Sequence, residues 1–307
     1  MIITPEIISQ LAPLEMKARH IVEGFMTGIH KSPYYGFSVE FAEHRPYNTG
    51  DELRHVDWKV YGKTERFYVK QFEEETNLRF NILFDISSSM NFKYYAEWDK
   101  LKYGVHLAAA LIHLMHRQRD ACGLVTFDSE IREYIPPKSA QSHIRLLYKK
   151  LEELLEKNTG KNPERRKTAS ADALHELADR LGKRSLIIII TDLFENTKEH
   201  DALLESLKHL RHRKHDIVVL NILEKRVERD LDLPDKKFVL TDMETGSKLD
   251  VLPIQLKETY KQKMAEHIQK FNIACHEHQI DFYEIDTQES FDKALLAFLN
   301  RRRRMTG

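Results

Sequence analysis

The sequence predicts an α/β fold, in which a doubly wound, mostly parallel sheet carries helices on both faces. Short all-apolar segments such as Leu186 to Ile190 recur along the chain, and segments with helical spacing separate them. Strands with no polar side need cover on both faces, which crossover helices provide in parallel sheets. The 307 residues exceed the ~100 to 200 expected for one domain, so we expect one large domain with an appendage, or two domains.

The first predicted strands and helix of the sheet follow residue 77. A buried strand, Leu78 to Phe84, precedes an amphipathic helix, Tyr94 to Arg117, whose apolar residues recur at intervals of three and four. A second buried strand spans Ala121 to Phe127. The segment Glu130 to Ile135 is predicted to be a short edge strand that ends at the following Pro-Pro pair, because proline cannot donate a backbone hydrogen bond to a neighbouring strand.

Helices and strands continue to alternate along the rest of the chain. The predicted helices are Ser139 to Glu156, Ala169 to Leu181, Glu199 to Arg213, Leu256 to His278 and Ser290 to Leu299, and the predicted strands are Leu186 to Ile190, Ile217 to Leu223 and Asp281 to Ile285. Within Phe238 to Val251, two β-prone runs flank a Glu-Thr-Gly-Ser turn, which predicts a hairpin that projects from the sheet.

The N-terminal quarter of the chain departs from this alternation. It opens with a helical stretch, Ile7 to Phe25, and holds 11 of the 29 aromatic residues, several of them in β-prone runs such as Arg66 to Phe72. We therefore predict an N-terminal β-containing appendage at residues 1–77, a sandwich domain at residues 78–301 and a basic tail at residues 302–307.

Composition excludes several classes of function. The 48 basic and 48 acidic residues balance, so no overall charge attracts the protein to nucleic acid or anionic lipid, and no nucleic-acid partner is expected. Two cysteines cannot form a disulfide framework and suit a reducing compartment. The apolar runs fall far short of the ~20 residues that span a bilayer, and the N-terminus lacks a signal-peptide pattern. We expect a cytoplasmic protein without a membrane span.

Polar side chains follow two of the predicted strands. Asp85, Ser87 and Ser89 come directly after the first buried strand, and Asp192 follows the strand that ends at Ile190. Thr168 stands near the start of a helix, after a basic loop. Because ligands of open α/β sheets bind at the carboxyl ends of parallel strands, we expect these five residues to meet at one edge of the sheet.

Three hydroxyls and two carboxylates form a set of hard oxygen donors, which suits Mg²⁺ or Mn²⁺. If the neutral hydroxyls bind the ion directly and the carboxylates act through water, the ion keeps much of its positive charge and attracts a carboxylate from another molecule. Taken singly, Asp192 and Thr168 are each typical of helix N-caps, and only the set of five favours a metal site.

The spacing of these residues resembles the metal-ion-dependent adhesion site of von Willebrand factor A domains. Asp85, Ser87 and Ser89 match its Asp-x-Ser-x-Ser motif, Thr168 precedes an Ala-Leu pair by five residues, and Asp192 follows a later apolar strand. The resemblance implies a von Willebrand factor A-like domain in which all five positions of the site are filled.

The chain as a whole resembles the family catalogued as domain of unknown function 58. The segments that carry this resemblance are Arg45 to Asp51, Arg54 to Trp58, Val69 to Glu74, Asp242 to Gly246 and the closing Leu295 to Arg301. The resemblance implies a cofactor or adaptor role beside a MoxR-type AAA+ ATPase. Many members carry transmembrane helices, and this sequence departs from them because it shows none.

These observations together predict a non-enzymatic, divalent-metal-dependent protein interaction module. Its partner is expected to be a protein that supplies an acidic residue. The loop at residues 157–167 leads into the predicted metal site, and its positive charge would favour that partner. The candidate partner-binding residues in the loop are Lys161, Arg165, Arg166 and Lys167.

Two other classes of function stay open. In the first, the protein is a Mg²⁺-dependent phosphoester hydrolase with Asp85 as the nucleophile, although Ser87 stands where such enzymes place a second carboxylate that acts as the general acid. In the second, the protein is a metal-independent scaffold that binds its partners through the appendage or through the hairpin near Glu244.

Overall fold

The structure is a computed structural model that describes residues 13–30, 44–46, 58, 61–62, 65–70, 78–158, 170–182, 184–192, 197–243 and 245–306. In chain order its strands are β1 His44–Pro46, β2 Tyr68–Lys70, β3 Arg79–Asp85, β4 Ala121–Phe127, β5 Ile131–Lys138, β6 Ser185–Thr191, β7 Asp216–Leu223, β8 Phe238–Thr241, β9 Lys248–Val251 and β10 Asp281–Asp286. Its α-helices are α1 Leu14–His30, α2 Lys100–Arg117, α3 Gln141–Asn158, α4 Ser170–Arg180, α5 Thr197–His212, α6 Pro253–Glu277 and α7 Asp292–Thr306.

Six strands form the central sheet in the order β10-β7-β6-β3-β4-β5. All neighbouring pairs are parallel except β4 and β5, which pair antiparallel at one edge. Two further pairs, β1 with β2 and β8 with β9, form small antiparallel sheets of their own. The predicted α/β fold class is therefore confirmed, and the structure has strands in the N-terminal quarter and a hairpin within residues 238–251, as the sequence predicts.

Both faces of the sheet are covered, which explains why its inner strands are apolar along their whole length. Side chains of β3 alternate between two cores: Ile82 and Phe84 pack into one, and Leu83 packs into the other. The first core holds residues of α1, α2, α3 and α7, and the second holds residues of α4, α5 and α6. The molecule thus has three layers, with the sheet between two layers of helices.

Two boundaries differ from the prediction for identifiable reasons. The helix predicted from Tyr94 begins at Lys100, because the Asp99 side chain caps it by accepting the backbone N–H of Lys102 at 2.7 Å. The strand predicted to end before the Pro-Pro pair runs through both prolines to Lys138. Strand β5 is an edge strand that pairs only with β4. Proline lacks a backbone N–H, but no strand lies on the outer side of β5 to need one, so the prolines are tolerated there.

The two ends of the chain also differ from the prediction. The first helix runs to His30 rather than to Phe25, and residues 7–12 of the predicted helix lie outside the described part of the chain. At the other end, α7 continues to Thr306, so the residues predicted to form a basic tail extend the last helix. The domain boundaries themselves remain predictions.

Helix α1 lies on the N-terminal side of the predicted boundary at residue 77, yet it packs onto the sandwich. Its apolar face, which includes Ile21 and Phe25, is buried in the core formed with α2. No helix of the described residues is long and apolar enough to cross a lipid bilayer.

The buried face of α1 gives a test of this packing. We expect Ile21→Ala to lower the free energy of unfolding by about 2 to 4 kcal/mol, because it removes a side chain that is 2% exposed and leaves a cavity against α2. His20→Ala, at the neighbouring exposed position, is the matched control and should change stability by less than about 0.5 kcal/mol. Equal effects of the two variants in urea denaturation would show that α1 does not belong to the core.

Candidate metal centre at the switch point of the sheet

The connections that follow the neighbouring strands β3 and β6 run to opposite sides of the sheet. From β3 the chain continues to β4 on one side of the sheet, and from β6 it continues to β7 on the other. Connections that leave neighbouring strands in opposite directions open a crevice at the carboxyl ends of those strands. Asp85 is the last residue of β3, and Asp192 directly follows β6, so both candidate carboxylates lie at this crevice.

The carboxylate of Asp85 is fully buried and held by two neutral donors. Its Oδ1 accepts the backbone N–H of Ser87 at 2.8 Å, and its Oδ2 accepts the hydroxyl of Thr191 at 2.7 Å. The hydroxyl oxygens of Ser87 and Ser89 lie 3.0 Å apart. Ser87 is buried and Ser89 is half-buried, so the group opens toward solvent at Ser89. Three predicted ligands therefore come together.

A short 3-10 helix, Ser88–Asn91, explains why the two hydroxyls meet. The backbone N–H of Met90 donates to the carbonyl of Ser87 at 3.2 Å, which starts this tight turn directly after β3. The turn places Ser87 and Ser89 on the same side of the chain. The Asp-x-Ser-x-Ser spacing thus produces the clustering that the sequence predicted.

Three aspartates end adjacent strands at this edge, and two of them have a cationic partner. Asp128, after β4, binds the Nε of Arg132 with both oxygens at 2.9 and 2.8 Å. Asp192, after β6, accepts the Lys100 ammonium at 2.6 Å. Among the described residues no lysine or arginine pairs with Asp85, which lies between them. Within the part of the chain that the structure describes, the middle aspartate is therefore the one that no cationic side chain contacts.

The electrostatics of Asp85 reflect this arrangement. Burial and, to a lesser extent, the negative charge of Asp192 raise the pKa of its carboxyl to about 7, against the hydrogen bonds from Thr191 and Ser87, which lower it. A buried carboxyl with a raised pKa carries a free-energy cost when it is ionised at neutral pH. A nearby cation would relieve that cost.

A buried ion network surrounds Asp192. The Lys100 ammonium donates to Asp192 Oδ2 and to Glu228 Oε1, both at 2.6 Å, and the Lys100 and Asp192 side chains are each 1% exposed. Burial by itself lowers the pKa of Lys100, but the two carboxylates outweigh it and raise the pKa above its usual value. Burial raises the pKa of Glu228, against the attraction of Lys100. Lys100 therefore stays an ammonium at physiological pH.

The network continues to the loop that precedes α2. Glu228 lies in a π-helix, Lys225–Arg229, and its Oε2 accepts the backbone N–H of Glu224 at 2.5 Å. The Glu224 carboxylate in turn accepts the backbone N–H groups of Tyr94, Tyr95 and Ala96 at 2.6, 2.5 and 3.1 Å. A chain of hydrogen bonds thus connects Asp192, through Lys100, Glu228 and Glu224, to the loop at residues 94–96.

The sequence did not reveal Lys100, Glu224 or Glu228 as parts of the site. Lys100 is separated from Asp192 by 92 residues and from Glu228 by 128. A lysine in the first turn of a helix ordinarily points to solvent, and only the fold shows that this one is buried. The available signal was weak: a lysine preceded by an N-cap aspartate, on a helix that follows the metal-site motif.

Asp85, Ser87 and Ser89 provide hard oxygen donors of the kind that could hold a divalent cation. Asp85, Asp192 and Glu228 provide three carboxylates against the one ammonium of Lys100, a net charge of −2 when all are ionised. Within the described ranges, no group of three or more His, Cys, Asp or Glu side chains is arranged to hold a metal. A cation at Asp85 would therefore depend on the serine hydroxyls, which suits Mg²⁺ or Mn²⁺ and disfavours zinc.

The remaining predicted residues lie outside the described part of the chain. These are Thr168 of the metal site, Lys161, Arg165, Arg166 and Lys167 of the basic loop, and Glu244 at the tip of the hairpin. Their roles stay predictions.

Fold and site together define an α/β protein with a cluster of carboxylates and hydroxyls at the switch point of its parallel sheet. Residues 43–270 match the family described as "Protein of unknown function DUF58", and the chain belongs to this family. It is similar to "Uncharacterized protein Rv1480" of Mycobacterium tuberculosis, with 24% identity over 245 residues, 79% of this chain and 72% of that protein. The same figures apply to "Uncharacterized protein Mb1516" of Mycobacterium bovis.

Solved structures give weaker similarities. The protein BatB from Bacteroides thetaiotaomicron shares 16% identity over 74% of this chain and 98% of its own, with a TM-score of 0.46. An aerotolerance-related membrane protein from Bacteroides fragilis shares 16% identity over 74% of this chain and 99% of its own, with a TM-score of 0.44. A von Willebrand factor type A structure from Catenulispora acidiphila shares 13% identity over 61% of this chain and 42% of its own, with a TM-score of 0.32. The fold class therefore rests on the strand order itself.

The raised pKa of Asp85 predicts a pH-dependent cost to stability. The folded protein holds this proton more tightly than the unfolded chain, so the cost grows as pH rises from about 4 to about 7. In EDTA, we expect Asp85→Asn to melt roughly 2 to 4 °C above the native protein at pH 8.5 and to lose this advantage near pH 4. Asp201→Asn, at an exposed position, is the control. A difference that does not change with pH would contradict the raised pKa.

The three hydrogen bonds to Glu224 predict a protected loop. Replacement of Glu224 by Gln removes the charge and places an amide NH₂ against backbone donors, so the loop at residues 94–96 should open more often. We expect its backbone amides to exchange hydrogen about 10- to 100-fold faster, as measured by hydrogen–deuterium exchange. Asp250→Asn, in the exposed hairpin, should leave this exchange unchanged, and an equal acceleration in both variants would argue against the role of Glu224.

Proposed function

We propose that this protein is a non-enzymatic interaction module that binds Mg²⁺ or Mn²⁺ and, through the ion, a carboxylate of a partner protein. Ser87, Ser89 and Thr168 would hold the ion through their hydroxyls, and Asp85 and Asp192 would orient its waters. The observation that carries this proposal is the fully buried carboxylate of Asp85, which contacts neutral donors beside two serine hydroxyls at the switch point.

The charge at the crevice supports the same function. A divalent ion would neutralise the net charge of −2 on Asp85, Asp192, Glu228 and Lys100. When bound, such an ion offers an open coordination position to an oxygen ligand from outside. Neutral hydroxyl ligands leave the ion more of its charge than carboxylate ligands would, and an acidic side chain of a partner is the ligand that this charge attracts.

The family resemblance gives a candidate for the partner. It implies a MoxR-type AAA+ ATPase that supplies the acidic residue, with Lys161, Arg165, Arg166 and Lys167 near the contact. We propose the cytoplasm as the compartment, and the two cysteines support a reducing one because both are buried and free.

A hydrolase with Asp85 as its nucleophile receives less support from the geometry. Both oxygens of Asp85 already accept hydrogen bonds, and the residue has no solvent exposure. A substrate would have to displace Ser87 or Thr191 to reach it. The Ser87 hydroxyl cannot serve as a general acid at neutral pH.

A metal-independent scaffold is the second candidate function, and the β8–β9 hairpin favours it. In the pairing register, Leu240 lies opposite Leu249 and Phe238 lies opposite Val251, so these four share one face of the hairpin. Leu249 is 63% exposed and Leu240 is 39% exposed, while Val251 is buried. An apolar face that is exposed toward its tip could bind a partner without metal.

The metal site is tested by Ser87→Ala combined with Ser89→Ala. We expect this double variant to keep its circular dichroism spectrum and to bind Mn²⁺ at least about tenfold more weakly than the native protein, in titrations followed by electron paramagnetic resonance. Ser139→Ala with Ser142→Ala, two exposed serines at the start of α3, is the matched control and should bind Mn²⁺ normally. Absence of Mn²⁺ binding by the native protein would refute the metal site.

A pull-down from native lysate separates the two candidate functions. Tagged native protein in Mg²⁺, the same protein in EDTA, and the double serine variant serve as the three baits. A protein retained only by the first bait supports the metal-bridged module and identifies its partner. Partners retained equally by all three baits, and lost in Leu240→Asp combined with Leu249→Asp, would instead support the hairpin scaffold.

A further inference from the structure

Lys100 is a fully buried ammonium that contacts one of the candidate metal-site carboxylates. Its Nζ lies 2.6 Å from Asp192 Oδ2 and 2.6 Å from Glu228 Oε1. Withdrawing such an ion from water costs several kcal/mol, which pairing with two carboxylates offsets. A well-packed apolar side chain would stabilise the same position at lower cost, so packing alone does not explain a lysine here.

The position of Lys100 is fixed from several sides. It begins α2, its backbone N–H donates to the carbonyl of Phe92 at 3.4 Å, and its ammonium lies 5.6 Å from the centroid of the Phe92 ring. Its second partner, Glu228, is held by the backbone N–H of Glu224. The ammonium therefore cannot move freely with Asp192. If Asp192 moved away, a charge would remain buried with one partner fewer, which is costly.

Asp85 and Asp192 consequently differ in what they can offer a cation. Asp85 accepts from neutral donors, whereas one oxygen of Asp192 already accepts from an ammonium. A carboxylate paired with an ammonium is a poorer ligand, because part of its negative charge is neutralised and one oxygen is occupied.

We propose that Lys100 is a positioning residue of the metal site, which holds Asp192 back from direct coordination and so leaves the ion its charge for a partner's carboxylate. This inference rests on the proposed function. Direct binding by Asp192 would add a negative ligand and reduce the attraction of the ion for an external carboxylate. Lys100 thus adjusts the site toward binding a partner rather than toward retaining the metal most tightly.

A charge-matched double variant tests this role. Lys100→Met combined with Glu228→Gln removes one positive and one negative charge, so the net charge of the four side chains stays at −2, as in the native protein. The carbonyl of the new glutamine can still accept the N–H of Glu224. Any change in metal binding then reports the release of Asp192 and not a change in total charge. Lys102→Met, two residues along α2 and without contact to Asp192, is the control.

Three measurements on Mn²⁺ alone distinguish the outcomes. We expect the double variant to bind Mn²⁺ roughly tenfold more tightly and its bound Mn²⁺ to carry about one water fewer, by water-proton relaxation, because Asp192 becomes a direct ligand. We also expect acetate, used as the carboxylate probe, to displace less water from Mn²⁺ in the double variant than in the native protein.

Each result decides a different claim. If the native protein binds Mn²⁺ but the double variant shows the same affinity, water count and acetate response, Lys100 has only a structural role and the proposed function stands. If the native protein binds no Mn²⁺, the proposed function fails, and the role of Lys100 fails with it.

A measurement on the native protein covers the case in which the double variant does not fold. The ammonium of a buried, hydrogen-bonded lysine exchanges its protons slowly enough for detection by ¹⁵N-resolved nuclear magnetic resonance. On saturation with Mg²⁺, we expect the Lys100 ammonium signal to shift but to persist, because the pair with Asp192 survives. Loss of that signal would show that Asp192 leaves Lys100 for the ion, which would overturn the inference.

Discussion

The buried ammonium of Lys100 holds together three segments that are far apart in the sequence. It begins α2, contacts Asp192 after β6, and contacts Glu228 in the π-helix after β7. Each of these charges would cost several kcal/mol if it were buried alone, so the three segments are stable in their positions only together. The same network reaches Glu224 and the loop at residues 94–96. The geometry at the carboxyl edge of the sheet depends on this one ion.

The sheet supplies the rigid base for that edge. Residues of β3 and β6 pair in register from Arg79 with Ser185 to Phe84 with Ile190, and the side chains of β6 are buried along its whole length. Because packed strands move little, the carboxylates at their ends stay fixed relative to one another. The connections from β3 and β6 lead to strands on opposite sides of the sheet, and the carboxyl edge between them is where the sheet presents polar groups such as Asp85 and Asp192.

The strands and the candidate ligands could be predicted from the sequence because both depend on local pattern. Apolar runs such as Ala121–Phe127 mark strands that are buried on both sides, and polar residues directly after them must lie at the carboxyl edge. The Asp-x-Ser-x-Ser motif also fixes its own clustering, through the short turn that begins at Ser87.

The ion network could not be predicted, because its partners come from distant parts of the chain. Apart from the N-cap aspartate before Lys100, which is a weak signal, the local sequence does not distinguish Lys100 or Glu228 from the many charged residues on helix surfaces. The start of α2 was misplaced for a related reason: backbone N–H groups at residues 94–96 bind the Glu224 carboxylate, about 130 residues away, and the helix begins only after them. Long-range electrostatics overrode a local helical pattern.

The three strand-end aspartates show how one edge can hold similar groups in different states. Arg132 pairs with Asp128, Lys100 pairs with Asp192 and also with Glu228, and neutral donors alone contact Asp85 among the described residues. A sheet edge with all three paired would be more stable and would attract no cation. If none of the three aspartates had a cationic partner, their carboxylates would repel one another and would bind a cation directly. Such direct carboxylate ligands would neutralise most of the charge of the ion. The observed arrangement leaves Asp85, next to neutral hydroxyls, as the strand-end aspartate without a cationic partner among the described residues, and this is the distribution that suits an ion shared with a second molecule.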